Sequence, residues 1–188
     1  MSSCYEQMEA CFTCSSDELK RLAVDPEWRV RFAAAVAIGE RQDADYIDAL
    51  EEMLAIEDAR PLFTQPVTEF VGVDGDTSLA EQVKPFQVVF PVPADEATQE
   101  AWKTRGRVKQ AVLFAIYSIG EANERLIDKL HGYIQDANQD ATVKAAAVRA
   151  LGKVGGPSSL PYCKEAAAYD EWCTRVEAVK AMGVLSNG

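Results

Sequence analysis

Few residues of this 188-residue chain combine a reactive type with a spacing that would let them do chemistry. Cys11-x-x-Cys14, with Cys4 nearby, has a spacing that can ligate a metal or run thiol–disulfide exchange. No second pair stands at a matching distance, so Cys11 and Cys14 are weak metal candidates and the pair reads first as incidental. His131 is the single histidine, which leaves His-clustered metal sites and Ser/His or Cys/His nucleophiles nothing to be built from. It reads as a surface or packing residue, and Cys163 and Cys173 as small packing residues. No catalytic set and no cofactor is expected. What does recur is Trp-x-x-Arg: Trp28/Arg31, Trp102/Arg105 and Trp172/Arg175 account for all three tryptophans. Beside the second copy stand Lys103, Arg105, Arg107 and Lys109, four bases within seven residues. Aromatics beside arginine suit interface anchoring, and clustered bases suit carboxylate recognition.

The bulk numbers narrow the partner. A formal net charge of −11 argues against general affinity for nucleic acid or an anionic membrane, which would repel the chain at long range. The longest apolar run, 32–39, is far below the ~20 residues of a membrane span. The opening MSSCYEQMEACF lacks the basic and apolar regions of a signal peptide, and five cysteines are an odd number. The expectation is a cytoplasmic protein with reduced thiols.

The elements that would position these residues repeat. Four Ala-rich segments end alike in glycine: 30–39, 112–120, 143–152 and 174–183. Each has apolar residues at helical spacing, with the glycine where a helix would stop. A second amphipathic stretch precedes each one, at 15–24, 43–58, 122–136 and 157–169, opened by Ser16, Asp43, Asn123 or Ser158. The unit is helix A, turn, helix B, with repeats at about 15–39, 43–120, 122–152 and 157–183. One such pair cannot bury its apolar face alone, but a row of four can. In repeat two Trp102 stands seven residues further from the glycine than Trp28 or Trp172, two helical turns, which predicts a lengthened helix from 102. Counted from that glycine, Val112 takes the arginine position and Ala141 replaces the tryptophan of repeat three.

Asp25, Val30, Arg31, Ala34 and Ala37-Ile38-Gly39, with Asp140, Val143, Lys144, Ala147 and Ala150-Leu151-Gly152, carry a resemblance to HEAT repeats. More narrowly they resemble the units called PBS-lyase HEAT-like repeats, and Asp170, Arg175, Ala178, Ala181 and Gly183 extend the match. The resemblance implies an all-α fold: a right-handed α-α superhelix, a short HEAT-like solenoid of about four helix pairs in one domain. It implies A helices on the convex side, B helices on the concave side, and a capping helix over residues 1–14. It also implies that Arg31, Lys144 and Arg175 form a ladder with the aspartates of neighbouring repeats, Asp25, Asp140 and Asp170 serving there and as N-caps.

Charge divides by helix. The B segments hold ten bases (Arg29, Arg31, Lys103, Arg105, Arg107, Lys109, Lys144, Arg149, Arg175 and Lys180) against the single acid Glu177, while 43–58 holds seven acids and no base. This predicts a basic concave face for an acidic protein partner, with Trp28 and Trp172 leaning to packing and Trp102 to exposure. The segment at about 59–101 interrupts repeat two and carries five of the eight prolines and four of the seven phenylalanines: Phe63, Phe70, Phe86 and Phe90. Residues 68–73 and 86–90 read as short strands around the turn at 74–76, a possible β-hairpin, and four phenylalanines are too many for a solvated linker. A lid over the groove, an extended rim, or an excursion that binds nothing all fit it.

The expected function is a non-catalytic scaffold, adaptor or maturation factor holding an acidic protein partner through Trp28, Arg31, Phe63, Phe70, Phe86, Phe90, Trp102, Lys103, Arg105, Arg107, Lys109, Trp172 and Arg175. The resemblance supplies an alternative, a phycobilin-lyase-like subunit whose bases clamp tetrapyrrole propionates. It supplies a remoter one, a HEAT-type DNA glycosylase, which the net charge opposes. Partner identity and oligomeric state are left open.

Overall fold

The structure is a computed structural model describing residues 3–60, 104 and 106–186. The chain divides into two compact units, Met1–Arg60 with Thr104–Gly188, and Pro61–Lys103. The second lies outside the described residues, and with it the strands expected at 68–73 and 86–90.

Every regular element among the described residues is helical. In chain order they are α1 (Cys4–Ala10), α2 (Ser16–Ala23), α3 (Trp28–Arg41), α4 (Ile47–Asp58), α5 (Arg107–Ile119), α6 (Glu124–Gln135), α7 (Ala141–Val154), α8 (Leu160–Ala166) and α9 (Trp172–Leu185). Short 3-10 turns, Ala44–Tyr46 and Pro157–Ser159, lead into α4 and α8. The amphipathic helices begin where short polar side chains cap them: Ser15 accepts from the Glu18 N–H ahead of α2, and Asn123 from the Leu126 N–H ahead of α6. The α2 and α8 starts each sit one residue from the expected serine, with Ser15 and Ser159 at the N-caps.

Consecutive helices pair (α2 with α3, α4 with α5, α6 with α7, α8 with α9), and α3, α5, α7 and α9 lie side by side as one continuous layer. This is an α-solenoid. Leucines and isoleucines of the first helices and alanines of the second fill the space between layers; Leu19, Leu22, Leu50, Leu54, Leu126 and Leu130 are all inaccessible to within about 1 %. No helix of the described residues is long and apolar enough to cross a membrane.

The recurring glycine has two jobs that the sequence pattern merges. Gly39 and Gly152 lie inside their helices, where a Cβ would meet the next repeat: 3.1 Å from Ala115 Cα, and 2.9 and 3.0 Å from Ala181 Cβ and Cα. Gly120 instead ends α5 in the left-handed region, φ 78°, its N–H donating to the Ile116 carbonyl. Its counterpart in repeat one is Gln42, φ 53°, which donates to Ile38. Repeat two is therefore shifted three residues from the glycine-based alignment, so Lys109 and not Val112 stands where Arg31 stands. α5 begins at Arg107 with Gly106 at its N-cap, while Trp102, where a lengthened helix was expected to start, lies outside the described residues.

A paired substitution tests the close approach. Gly152→Ala forces two helix backbones apart and should cost roughly 1–2 kcal/mol, an overpacking penalty partly offset by helix propensity. Gly132→Ala, at a helical site where a Cβ meets nothing within 4 Å, should instead stabilise by about 0.5–1 kcal/mol. Urea denaturation of the two variants decides between them.

Candidate functional site

Three bases of the B-layer helices, Arg31, Lys109 and Lys144, point into the protein. Arg31, 3 % exposed, forks onto Glu57 at the end of α4: its Nε donates to Oε1 at 2.8 Å and its Nη2 pairs with the same oxygen. Its Nη1 turns back to the carbonyls of Asp25 and Pro26, at 2.6 and 2.9 Å. Arg60 holds the other Glu57 oxygen at 2.7 Å and donates to Thr104 Oγ1 at 2.6 Å, so the residues on either side of segment 61–103 are joined. One residue along α4, Asp58 takes Lys109 and Lys129 at 2.7 Å each, and the Tyr133 hydroxyl at 2.8 Å. Burial alone would raise the Asp58 carboxyl, but these hydrogen bonds outweigh it and hold it below its ordinary range. Tyr133 moves the opposite way, raised by burial and by the neighbouring carboxylate.

The ladder has two forms, one for each kind of base. Arg175 repeats Arg31, donating to the carbonyls of Tyr169 and Asp170 at 2.9 and 2.8 Å. Lys109 and Lys144 each hold the ammonium 5.0 Å above a tyrosine ring of the following repeat, Tyr133 and Tyr169. A planar fork can serve two carbonyls at once, whereas a point charge on a flexible stem suits a ring face. The expected aspartate ladder is thus corrected: Asp25 and Asp170 contribute main-chain carbonyls and Glu57 and Asp58 contribute the carboxylates; of the expected N-caps Asp140 stands at its place before α7, while Glu27 and Glu171 occupy those of α3 and α9.

What the B layer presents outward is aromatic and sparsely basic. A groove of about 820 Å³ runs between α3 and α5, with Phe32 and Phe114 exposed in its walls and Arg107 and Glu40 at its margins. A second, of about 450 Å³, lies between α7 and α9, bordered by Tyr117, Lys153, Glu177 and Lys180. Arg149 stands between the two, its guanidinium 5.5 Å from the Phe114 ring and 4.6 Å from Tyr117. Its exposed charge rests on an aromatic platform, and among the described residues Glu177 lines the same groove but pairs with Lys180.

The residues expected to act together are therefore divided. Arg31 and Lys109 are buried in the node, so they are withdrawn from any partner surface; Lys144 is buried as well. Trp28 packs as expected, with Arg29 and Arg107 4.7 and 5.9 Å from its ring. Trp172 does not: it is exposed, contrary to expectation. Arg107 and Arg175 are exposed. Phe63, Phe70, Phe86, Phe90, Trp102, Lys103 and Arg105 lie outside the described residues. Cys11 is buried with its thiol directed at the Gln7 and Val30 carbonyls, and burial, then Cys14, pushes it up to about 11, so it is a protonated thiol at neutral pH. No group of three or more metal-ligating side chains gathers among the described residues. His131 is buried, stacked on Tyr162 at 3.8 Å and bonded to Ser159. Phe32, Phe114 and Tyr117 escaped the sequence reading, which counted Arg149 among the ten bases of the B segments without singling it out. The signal that could have found the ladder is a tyrosine 24 or 25 residues after each lysine, Lys109–Tyr133 and Lys144–Tyr169.

Comparison with known families agrees with this architecture. A model of HEAT repeats matches residues 97–183, and a model of the PBS lyase HEAT-like repeat matches residues 30–55. No curated protein matches the chain.

The node makes two predictions. Glu57→Ala strands the buried Arg31 and should cost about 3–5 kcal/mol in urea denaturation, while the double variant Arg31→Met/Glu57→Leu should recover most of it. Because the folded Asp58 carboxyl lies below its ordinary value, its contribution is full above about pH 4 and is lost as pH falls through the folded value. Asp58→Asn should therefore lower stability at pH 7 and flatten the acid limb of the stability–pH curve, measured by thermal melts from pH 2 to 7.

Proposed function

From the premise that this chain is a HEAT-repeat protein, we propose that it is a non-catalytic scaffold whose B-layer face holds a protein partner. The partner segment would place an apolar or aromatic side chain in the α3–α5 groove and a carboxylate on Arg149. The observation that carries this is Arg149 itself, exposed and laid across Phe114 and Tyr117 between two grooves. An arginine pre-positioned on aromatics loses little freedom on binding and presents its fork for bidentate contact. With Arg31, Lys109 and Lys144 turned inward, attraction to an acidic partner falls to the exposed bases, of which Arg107, Arg149, Lys153 and Lys180 border the two grooves while Arg29 and Arg175 lie at the helix starts. Glu40 and Glu177 beside them impose a pattern instead of a uniform positive field. On sequence grounds alone the inserted segment adds Phe63, Phe70, Phe86 and Phe90 as candidates, and the residues that follow it add Trp102, Lys103 and Arg105.

A pull-down from the source organism's extract, with wild type and the double variant Phe114→Ser/Arg149→Glu, tests the proposal. Both substitutions fall on exposed side chains, so the variant should keep its helical circular dichroism. The expected result is a protein retained by wild type at low salt, eluted as salt rises, and lost by the variant. A partner retained equally by both overturns the assignment of the face. A coloured eluate would instead favour a tetrapyrrole ligand.

A further inference from the structure

Four of the eight large apolar side chains exposed among the described residues sit on one helix, α9: Trp172 at 67 %, Val176 at 43 %, Val179 at 61 % and Val184 at 60 %. Three of them, with Gly183, form a single face at i, i+4, i+7 and i+11. The earlier repeats show what this face does. Counted from Trp28 and Ala141, which open helices of the same 14-residue length as α9, the same four positions are Trp28, Phe32, Ala35 and Gly39, then Ala141, Ala145, Val148 and Gly152. In each case the next B-layer helix comes against that face. Arg107 lies over Trp28 and Ala115 abuts Gly39; Thr174 donates to the Ala141 carbonyl at 3.2 Å and Ala181 abuts Gly152. On α9, the last helix described, the face is as apolar as its interior counterparts and stays exposed.

We propose that this face pairs with the same face of a second copy of the chain, antiparallel about a two-fold axis. Three observations select that occupant. First, the stripe is complementary to itself: positions 172 and 183, and 176 and 179, are symmetric about the point between Glu177 and Ala178. An antiparallel pair therefore sets Trp172 over Gly183 and Val176 against Val179, so the bulkiest side chain meets the one residue that brings none. Second, head-to-tail stacking is closed off. The side of α3 that would receive another copy's α9 is marked by Val30 and Arg41, equivalent to Thr174 and Leu185, and the chain's own N-terminal region covers it. The Cys11 thiol lies 3.9 Å from the Val30 carbonyl, and Arg41 donates to the Cys14 carbonyl at 2.7 Å. An isologous pair is then the closed solution. Third, the flanking charges are already engaged: Lys180 pairs with Glu177 at 2.7 Å, and Arg175 is tied to the Tyr169 and Asp170 carbonyls. Like charges across the axis are thereby blunted. The contact spans about 16 Å of helix, a small interface of the weak, concentration-dependent class. It involves neither Arg149 nor Phe114, so it stands or falls apart from the partner groove.

Sedimentation equilibrium of the full chain over roughly 5–500 μM tests the proposal. The expected result is a monomer–dimer equilibrium. Val179→Glu, which places a carboxylate beside the axis, should weaken it at least about tenfold, a loss of ~1.4 kcal/mol. Gly183→Leu, which fills the position opposite Trp172, should weaken it as well, whereas Phe114→Ser should leave it unchanged. Circular dichroism confirms that each variant remains helical. A monomer at every concentration, a dimer indifferent to both α9 substitutions, or a mass that grows beyond the dimer would overturn the proposal.

Discussion

The end of α4 is where this solenoid is held together. Glu57 and Asp58, two adjacent carboxylates, collect Arg31 from α3, Arg60, Lys109 from α5, and Lys129 and Tyr133 from α6. At this point the repeat is interrupted by segment 61–103, and the chain must re-enter at Thr104 in the right register for α5 to pack on α3. Apolar packing alone specifies that register weakly, because alanine-lined helices slide at little cost. Buried charges do not tolerate sliding, since a shift of one turn would strand a cation in the core. The ionic node is best understood as the device that fixes register across the interruption, and the Ala115–Gly39 approach as the packing it makes possible.

This arrangement governs where function can reside. A chain of net −11 with bases concentrated on one layer looks poised to attract acids along its whole length. The acids of α4 satisfy Arg31 and Lys109, Lys144 sits against Tyr169, and the exposed remainder is a patterned surface of aromatics and cations. Under the proposed reading, recognition on such a surface would depend on matching apolar and charged groups at set distances, which favours a particular partner over acidic surfaces in general.

The α-solenoid was legible because it rests on periodicities that folding preserves: alanines at helical spacing, amphipathic first helices and short polar caps. Register in repeat two was not, because glycine is used both where helices approach and where a helix turns left-handed, and sequence does not distinguish Gly39 from Gly120. The direction of the bases was equally hidden. Arg107 and Lys109 are two residues apart in one basic run, yet about 200° around a helix places one in solvent and the other in the core. The fate of Trp172 escaped for a related reason: a repeated residue packs only if a following repeat covers it, and α9 exposes the face that α7 buries and that α3 covers except at Phe32.

That division within one basic run gives the most direct measurement. Lys109→Met and Arg107→Met differ little in sequence context, and chemical denaturation of each reads the role of each base. If Lys109 is part of the node, its loss should cost about 2–3 kcal/mol, while loss of Arg107, whose contact among the described residues is with the Trp28 ring, should cost under about 1 kcal/mol. Equal, small effects would contradict the account, for both bases would then belong to a solvated face and the solenoid would be held by apolar packing alone.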